Sequence, residues 1–295
     1  MDEKRTRKKR PKRISAGDAA ITLYNEDCVK GMISRLLKES VDVIVTSPPY
    51  NLGTNYSRYQ DAIPRNQYLA WTTRWLASAR TVLKQEGSLF LNVGAKPSDP
   101  WGPFEVAFAA RGFFHLQNVI HWIKSIHIPK ASTGGYGLVN DDLTVGHYQP
   151  INSTRFLNDC HEYIFHFTKS GRVPLDRIAL GVPYQDKSNI GRWKRAASGF
   201  HCRGNTWFIP YRTIQDRKRD RPHPASYPAE LAEMCIRLHG IERGQLVLDP
   251  FTGIGNTAVT CARLGINFVG FEIDPSYLQQ AVHRISQETE GKKRP

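Results

Sequence analysis

The sequence predicts an α/β protein built on a mostly parallel sheet with helices on both faces. Apolar runs of strand length recur along the chain, and helical patterns separate many of them. With 295 residues and 40% hydrophobic content, the chain can bury a sizeable core as one large domain or one domain plus an insertion. Strands alternating with helices imply a sheet covered on both sides, whose strands read as continuous apolar runs.

The strand runs are VDVIVTS (41–47), GSLFLNV (87–93), NVIHWIK (118–124), HEYIFHFT (161–168), QLVLDPF (245–251) and INFVGFEI (266–273). YLAWTTRWLASARTVL spaces Leu69, Trp75, Leu76, Ala79 and Leu83 along one helical face; PAELAEMCIRLHG and NTAVTCARLG follow the same rule. The first 20 residues open MDEKRTRKKRPKR and predict a basic, solvated arm, with phosphate binding as an added expectation. Two stretches break the rhythm. Residues 125–152 are Gly-rich with little periodicity and predict a long loop. Residues 169–222 are irregular and strongly basic, with Arg192, Lys194, Arg195, Arg203 and Arg217 interleaved with Trp193, Phe200, Trp207 and Tyr211. That mixture suits a nucleic-acid surface, or else a solvated excursion with a small core of its own.

A net charge of +14 points to a polyanionic partner. No apolar run approaches bilayer length, so no membrane association is expected. Five scattered cysteines without a CxxC pair argue against disulfides or structural zinc and for reduced thiols in the cytoplasm. His161, Glu162 and His166 in HEYIFH lack HExxH spacing and alternate as a strand does, so no metal is expected.

Two motifs carry chemistry. In VDVIVTSPPYN a strand stops at Pro48 and Pro49, neither of which can donate to a ladder, with Ser47 before them and Tyr50 after. In LVLDPFTGIGNTAVTCARLGINFVGFEID a strand ends at Asp249, a turn holds Gly253 and Gly255, a helix begins near Asn256, and a second strand ends at Glu272. Glycines permit close backbone approach, and the helix N-terminus offers N–H groups to a carboxylate. An acid ending the next strand suits ribose hydroxyls. The absence of a third glycine at Ala258 tilts this nucleoside crevice away from a dinucleotide and toward S-adenosylmethionine.

Together the motifs resemble those of the amino-methylating DNA methyltransferases, where a [DNS]PP[YFW] motif meets an FxGxG cofactor motif. The order, SPPY first, resembles the circularly permuted β class, and the likeness spans about Ile21 to Ile285. The resemblance implies a Rossmann-like S-adenosyl-L-methionine-dependent fold. Its catalytic subregion would be 21–168, its target-recognition region 169–222 and its cofactor-binding subregion 223–290, with a tail at 291–295. It implies Ser47, Pro48, Pro49 and Tyr50 as catalytic. It implies cofactor contacts from Asp249, Phe251, Thr252, Gly253, Gly255, Asn256, Thr257 and Glu272. Asp27 and Cys28 match the segment facing the adenine ring, or are a helix cap and a buried thiol. His223 and Ser226 match further methionine-end contacts, with an N-cap role open for Ser226. The implied setting is the prokaryotic cytoplasm, with double-stranded DNA as substrate and a monomer or homodimer as the unit. A cognate restriction endonuclease would be a functional partner.

The chemistry explains SPPY. An exocyclic base amine is a poor nucleophile because its lone pair is delocalised into the ring. The Pro48 carbonyl and the Ser47 hydroxyl can bind its two hydrogens, Tyr50 can stack on an extruded base, and alignment does the rest. No Pro-Cys pair supplies the thiolate that methylation of a cytosine ring carbon needs. Ser at the first motif position resembles cytosine-N4 enzymes, while Asn51-Leu52 resembles some adenine-N6 enzymes. RNA or protein-amide methylation, and a catalytically silent DNA-binding module, are the remaining alternatives.

Overall fold

The computed structural model describes residues 10–131, 141–146, 151–184, 199–210, 226–242 and 245–291. The first half holds β1 (Lys12–Ala16), β2 (Ala19–Tyr24), α1 (Cys28–Arg35), β3 (Val41–Thr46), α2 (Arg65–Val82), β4 (Leu83–Val93), α3 (Gly102–Ala110), β5 (His115–Ile123), β6 (Ile126–Ile128) and β7 (Leu143–Val145). The second holds β8 (His161–Thr168), β9 (Val182–Pro183), β10 (Phe200–His201), β11 (Thr206–Phe208), α4 (Ala229–His239), β12 (Leu246–Asp249), α5 (Asn256–Leu264), β13 (Asn267–Phe271) and α6 (Pro275–Gly291).

One nine-stranded sheet carries the fold, in the order β1-β2-β13-β12-β3-β4-β8-β5-β11. From β2 to β4 it is parallel throughout, with Phe268 opposite Ile21 and Val247 opposite Val43. β8 runs antiparallel between β4 and β5. The alternation of side chains along each strand feeds two cores. Val43 and Val45 join Leu231, Cys235, Ala258 and Ala281 on the side of α4, α5 and α6. Ile44 joins Met32, Trp75, Leu76 and Leu248 on the side of α1 and α2. Each such large side chain removed from water stabilises the fold by about 1.5–3 kcal/mol.

β12 and β13, late in the chain, slot between β2 and β3, which come early. Beyond its carboxyl end β3 leads on to β4, while β12 leads to β13 on the other side. The chain therefore diverges after Thr46 and after Asp249, which opens a crevice there.

Three expectations need correction. Residues 1–20 do not all form an arm, since Lys12–Ala16 pair with Ala19–Leu23 at the sheet edge. The basic run that ends at Arg13 enters the first strand and hid this hairpin. The segment 169–222 is not wholly a separate recognition region: β11 pairs with β5, and Trp207 is buried in the core rather than offered to a ligand. The stretch 125–152 is not all loop, because Ile126–Ile128 pair with Leu143–Val145.

Candidate active site

The crevice holds a cavity of about 410 Å³, lined on one side by Ser47, Pro48, Pro49 and Tyr50 and on the other by Phe251, Thr252, Gly253, Asn256 and Glu272. A cavity of this size suits a small organic ligand. The two motifs therefore share one space.

Buried Asp249 ties them together. Its Oδ1 accepts from Thr46 Oγ1 at 2.7 Å and from the Phe251 N–H at 3.0 Å. Its Oδ2 accepts from the Tyr227 hydroxyl at 3.0 Å and from Thr257 Oγ1 at 3.1 Å. Burial raises the Asp249 pKa, against the opposing pull of these donors. Asp249 and Thr257 are not among the residues that line the cavity and stand directly behind Phe251 and Asn256. Gly255 is also behind the wall: its φ is +83°, and an added Cβ would lie 2.9 Å from Ala281 Cβ of α6. Its bare backbone serves helix packing.

Glu272 sits at the other end of the turn. Its Oε2 accepts from the Gly253 N–H at 2.9 Å and its Oε1 from the Asp274 N–H at 2.8 Å. Burial pushes its pKa up to about 7, although both N–H groups pull the other way. Asp27 and Cys28 line the cavity as well as filling their bland roles: Asp27 caps α1 through the Lys30 N–H at 3.1 Å, and the Cys28 thiol is buried. Ser226 lines the cavity but does not cap α4, whose N-cap is Pro228. Asn256 Nδ2 donates to the Tyr227 carbonyl at 2.5 Å.

At the SPPY end, Tyr68 donates to the Pro49 carbonyl at 2.9 Å, whereas no donor among the described residues reaches the Pro48 carbonyl. Ser47 Oγ lies 2.5 Å from Tyr50 Oη, which lies 3.1 Å from Glu162 Oε2. Asn92 Nδ2 donates to Tyr50 Oη and to Glu162 Oε2, both at 2.7 Å. Lys124 Nζ faces Glu162 Oε1 at 3.2 Å. Gly94 makes room for this cluster, since a Cβ there would sit 3.0 Å from the Tyr50 ring and 3.1 Å from the Glu162 carboxyl carbon.

Sequence reading missed Asn92, Lys124 and Glu162. The available signal was a polar residue inside each buried strand run, LFLNV and HEYIF. It also missed the loop after Tyr50, which brings Tyr56, Arg58 and Tyr59 to the cavity. Asp61, 3% exposed, holds that loop by accepting from the N–H groups of Asn51, Leu52 and Thr54.

His223, Arg192, Lys194, Arg195 and Arg217 lie outside the described residues. Arg203 is exposed, with its Nε donating to the Leu180 carbonyl at 3.3 Å. Among the described residues no His, Cys, Asp and Glu cluster could hold a metal, and no helix is long and apolar enough to cross a membrane.

The donor set fits a nucleoside with a charged amino-acid tail. Glu272 offers a carboxylate for hydroxyls, Phe271 and Ile273 offer apolar wall, and Ser226, Thr252 and Asn256 offer polar groups. Known proteins resemble this chain. The type II methyltransferase M.HpaI of Haemophilus parainfluenzae is 28% identical over 88% of this chain and 72% of its own. The DNA adenine methyltransferase YhdJ of Escherichia coli K12 is 26% identical over 91% and 84%. Among solved structures, the cytosine-N4-specific PvuII DNA methyltransferase superposes with a TM-score of 0.63 at 18% identity, covering 92% of this chain and 91% of its own, a likeness of fold. The Thermus thermophilus protein TTHA0409, solved with S-adenosyl-L-methionine, has a TM-score of 0.58 at 25% identity, covering 91% and 94%. A family model for DNA methylases of the N6/N4 amino type matches residues 41–283, most of the chain, and the chain belongs to that family.

Proposed function

We propose that this DNA methylase uses S-adenosyl-L-methionine to methylate the exocyclic N4 amine of cytosine in duplex DNA, after the base has left the stack. The observation that carries the reading is the single cavity shared by the SPPY tip and the glycine turn. Bound there, the cofactor supplies an electrophilic methyl group; Glu272 would hold its ribose hydroxyls, and Ser226, Thr252 and Asn256 its amino-acid end.

The protein's own part is to orient the amine. The Pro48 carbonyl has no donor among the described residues, and Ser47 Oγ lies beside it on the cavity wall. These two acceptors can hold the two amine hydrogens and draw them out of the ring plane, so that the nitrogen pyramidalises and its lone pair leaves conjugation with the ring. The Tyr50 ring, on the same wall, gives the base a surface to stack on. In-line positioning of this kind can supply several kcal/mol of the barrier reduction.

Ser47 at the first motif position supports cytosine N4. Adenine N6 is the second reading, favoured by Asn51 after the motif and by the activity for which YhdJ is named. Type II relatives such as M.HpaI support a restriction–modification setting. Mass-spectrometric base analysis of duplex DNA methylated in vitro tests the assignment, with RNA and protein substrates in parallel. N4-methylcytosine is expected; N6-methyladenine alone would reassign the base, and transfer only to RNA or protein would reject duplex DNA.

A further inference from the structure

Amino methylation leaves a proton to be disposed of. Transfer forms the N–CH3 bond, leaves the departing sulfur with the electron pair of the broken S–CH3 bond, and puts a positive charge on the base nitrogen. That nitrogen must then lose one proton. A serine at the first motif position is too weak a base to keep it.

The hydrogen-bond directions at the SPPY end supply an answer. Asn92 is 2% exposed, and its Nδ2 lies 2.7 Å from both Glu162 Oε2 and Tyr50 Oη. Turning the amide over would set its carbonyl against the carboxylate, so the nitrogen faces Glu162 and both its hydrogens are committed. Asn92 Oδ1 has no partner among the described residues, so the amide is held by what its nitrogen reaches. Tyr50 Oη thus accepts from Asn92, and its own O–H donates to Glu162 Oε2 at 3.1 Å. The 2.5 Å contact from Ser47 must then run from the Ser47 hydroxyl to Tyr50 Oη. Ser47 Oγ, which Asn92 Nδ2 reaches only at 3.5 Å, is then left as an acceptor, the role the target amine requires.

We propose that Glu162 takes up the released proton through Tyr50 and Ser47. One amine proton passes to Ser47 Oγ as the Ser47 hydroxyl proton moves to Tyr50 Oη and the Tyr50 proton moves to Glu162 Oε2. Each oxygen in the middle gains one proton and loses one, so only the amine and Glu162 change charge. Glu162 is a positioning residue acting through the other two. Lys124 is its countercharge at 3.2 Å, and their side chains retain 13% and 18% exposure, a route by which the proton reaches solvent. The other charged or titratable groups facing Glu162 are Asp159 and His161, with His121 of β5 packed against His161. The proposal rests on the amino-methylating reading above and holds for either base.

The test is single-turnover methyl transfer to duplex DNA at saturating cofactor, for wild type, E162Q, E162D, Y50F and H161Q. E162Q and Y50F should lose on the order of 10²-fold in rate at saturating cofactor. E162D should recover part of the rate. Cofactor affinity by calorimetry and DNA affinity by fluorescence anisotropy should stay within about two-fold, since neither measures proton transfer. Wild-type rates in E162Q or Y50F, or a loss in H161Q as large as that in E162Q, overturns the proposal. Should E162Q fail to fold, Y50F decides alone, because it keeps the ring and removes only the relay oxygen. A wild-type protein inactive on duplex DNA defeats the functional reading instead; active wild type with unimpaired E162Q and Y50F defeats the relay only.

Discussion

As the proposed ribose contact, Glu272 would couple cofactor affinity to pH through one buried carboxyl. Its pKa stands near 7 because burial penalises the charged form. The ionised form offers the most acceptors to two hydroxyls, so ligand binding and proton release are linked. Affinity for S-adenosylmethionine should therefore be full above about pH 8 and fall by up to about ten-fold for each unit below 7. Calorimetric titrations across this range check it, and Glu272→Gln should bind weakly with a flat profile. A profile in Glu272→Gln as steep as wild type would assign the titration to another group. Before the structure, Glu272 was legible as an acid ending a strand, but nothing in the sequence told that two backbone N–H groups would already occupy it.

At the scale of elements, the loop after Tyr50 and the turn before α5 each rest on one residue. Three backbone N–H groups converge on the Asp61 carboxylate. Asp61→Ala orphans them, at about 1–3 kcal/mol for each that water cannot reach. Limited proteolysis should then cut within 51–63, and cofactor affinity should drop because Tyr56 and Tyr59 leave the cavity wall; an uncut loop with native affinity rejects the bracing role. Gly255→Val meets both a left-handed φ and the Ala281 side chain. It should cost about 1–3 kcal/mol in backbone strain alone and lower the melting temperature. Gly253→Val should instead block cofactor binding, because Gly253 lines the cavity. Sequence spacing treats the two glycines alike, and only the packing of α6 separates them.

For the whole molecule, the sheet also carries a buried histidine chain. His166 Nε2 lies 3.0 Å from Ser88 Oγ, and His239 Nδ1 lies 2.9 Å from the same oxygen, joining β8, β4 and α4. Burial pushes His166 down to about 3, with His239 adding to the effect, and His239 is lowered by burial too. A folded-state pKa below the unfolded value means stability is fully present above about pH 6.5 and is lost as pH falls toward 3. The slope approaches about 1.4 kcal/mol per pH unit for each such group. Thermal unfolding at pH 7 and pH 5 should show this loss, and His166→Gln should remove part of it; an unchanged difference would place the sensitivity elsewhere. The charge of +14 belongs to this scale as well. Deleting residues 1–9 spares β1 and should weaken duplex binding and flatten its salt dependence, as measured by anisotropy at several salt concentrations.

By itself the sequence determined the two motifs, the order in which they occur, the strand runs from Val41 to Phe271 and hence an amino-directed methyltransferase sheet. These are legible because their constraints are largely local: a proline lacks an N–H wherever it stands, and a run of β-branched residues fits the pleated, half-buried surface of a strand. Tertiary structure alone decided that Asp249 braces the cavity from behind, that Trp207 is core, and that Asn92 and Glu162 meet at Tyr50. Those outcomes depend on which strands lie side by side. Alternation along a strand tells which face a residue takes but not what lies across from it, and here the pairing joins segments from opposite ends of the chain.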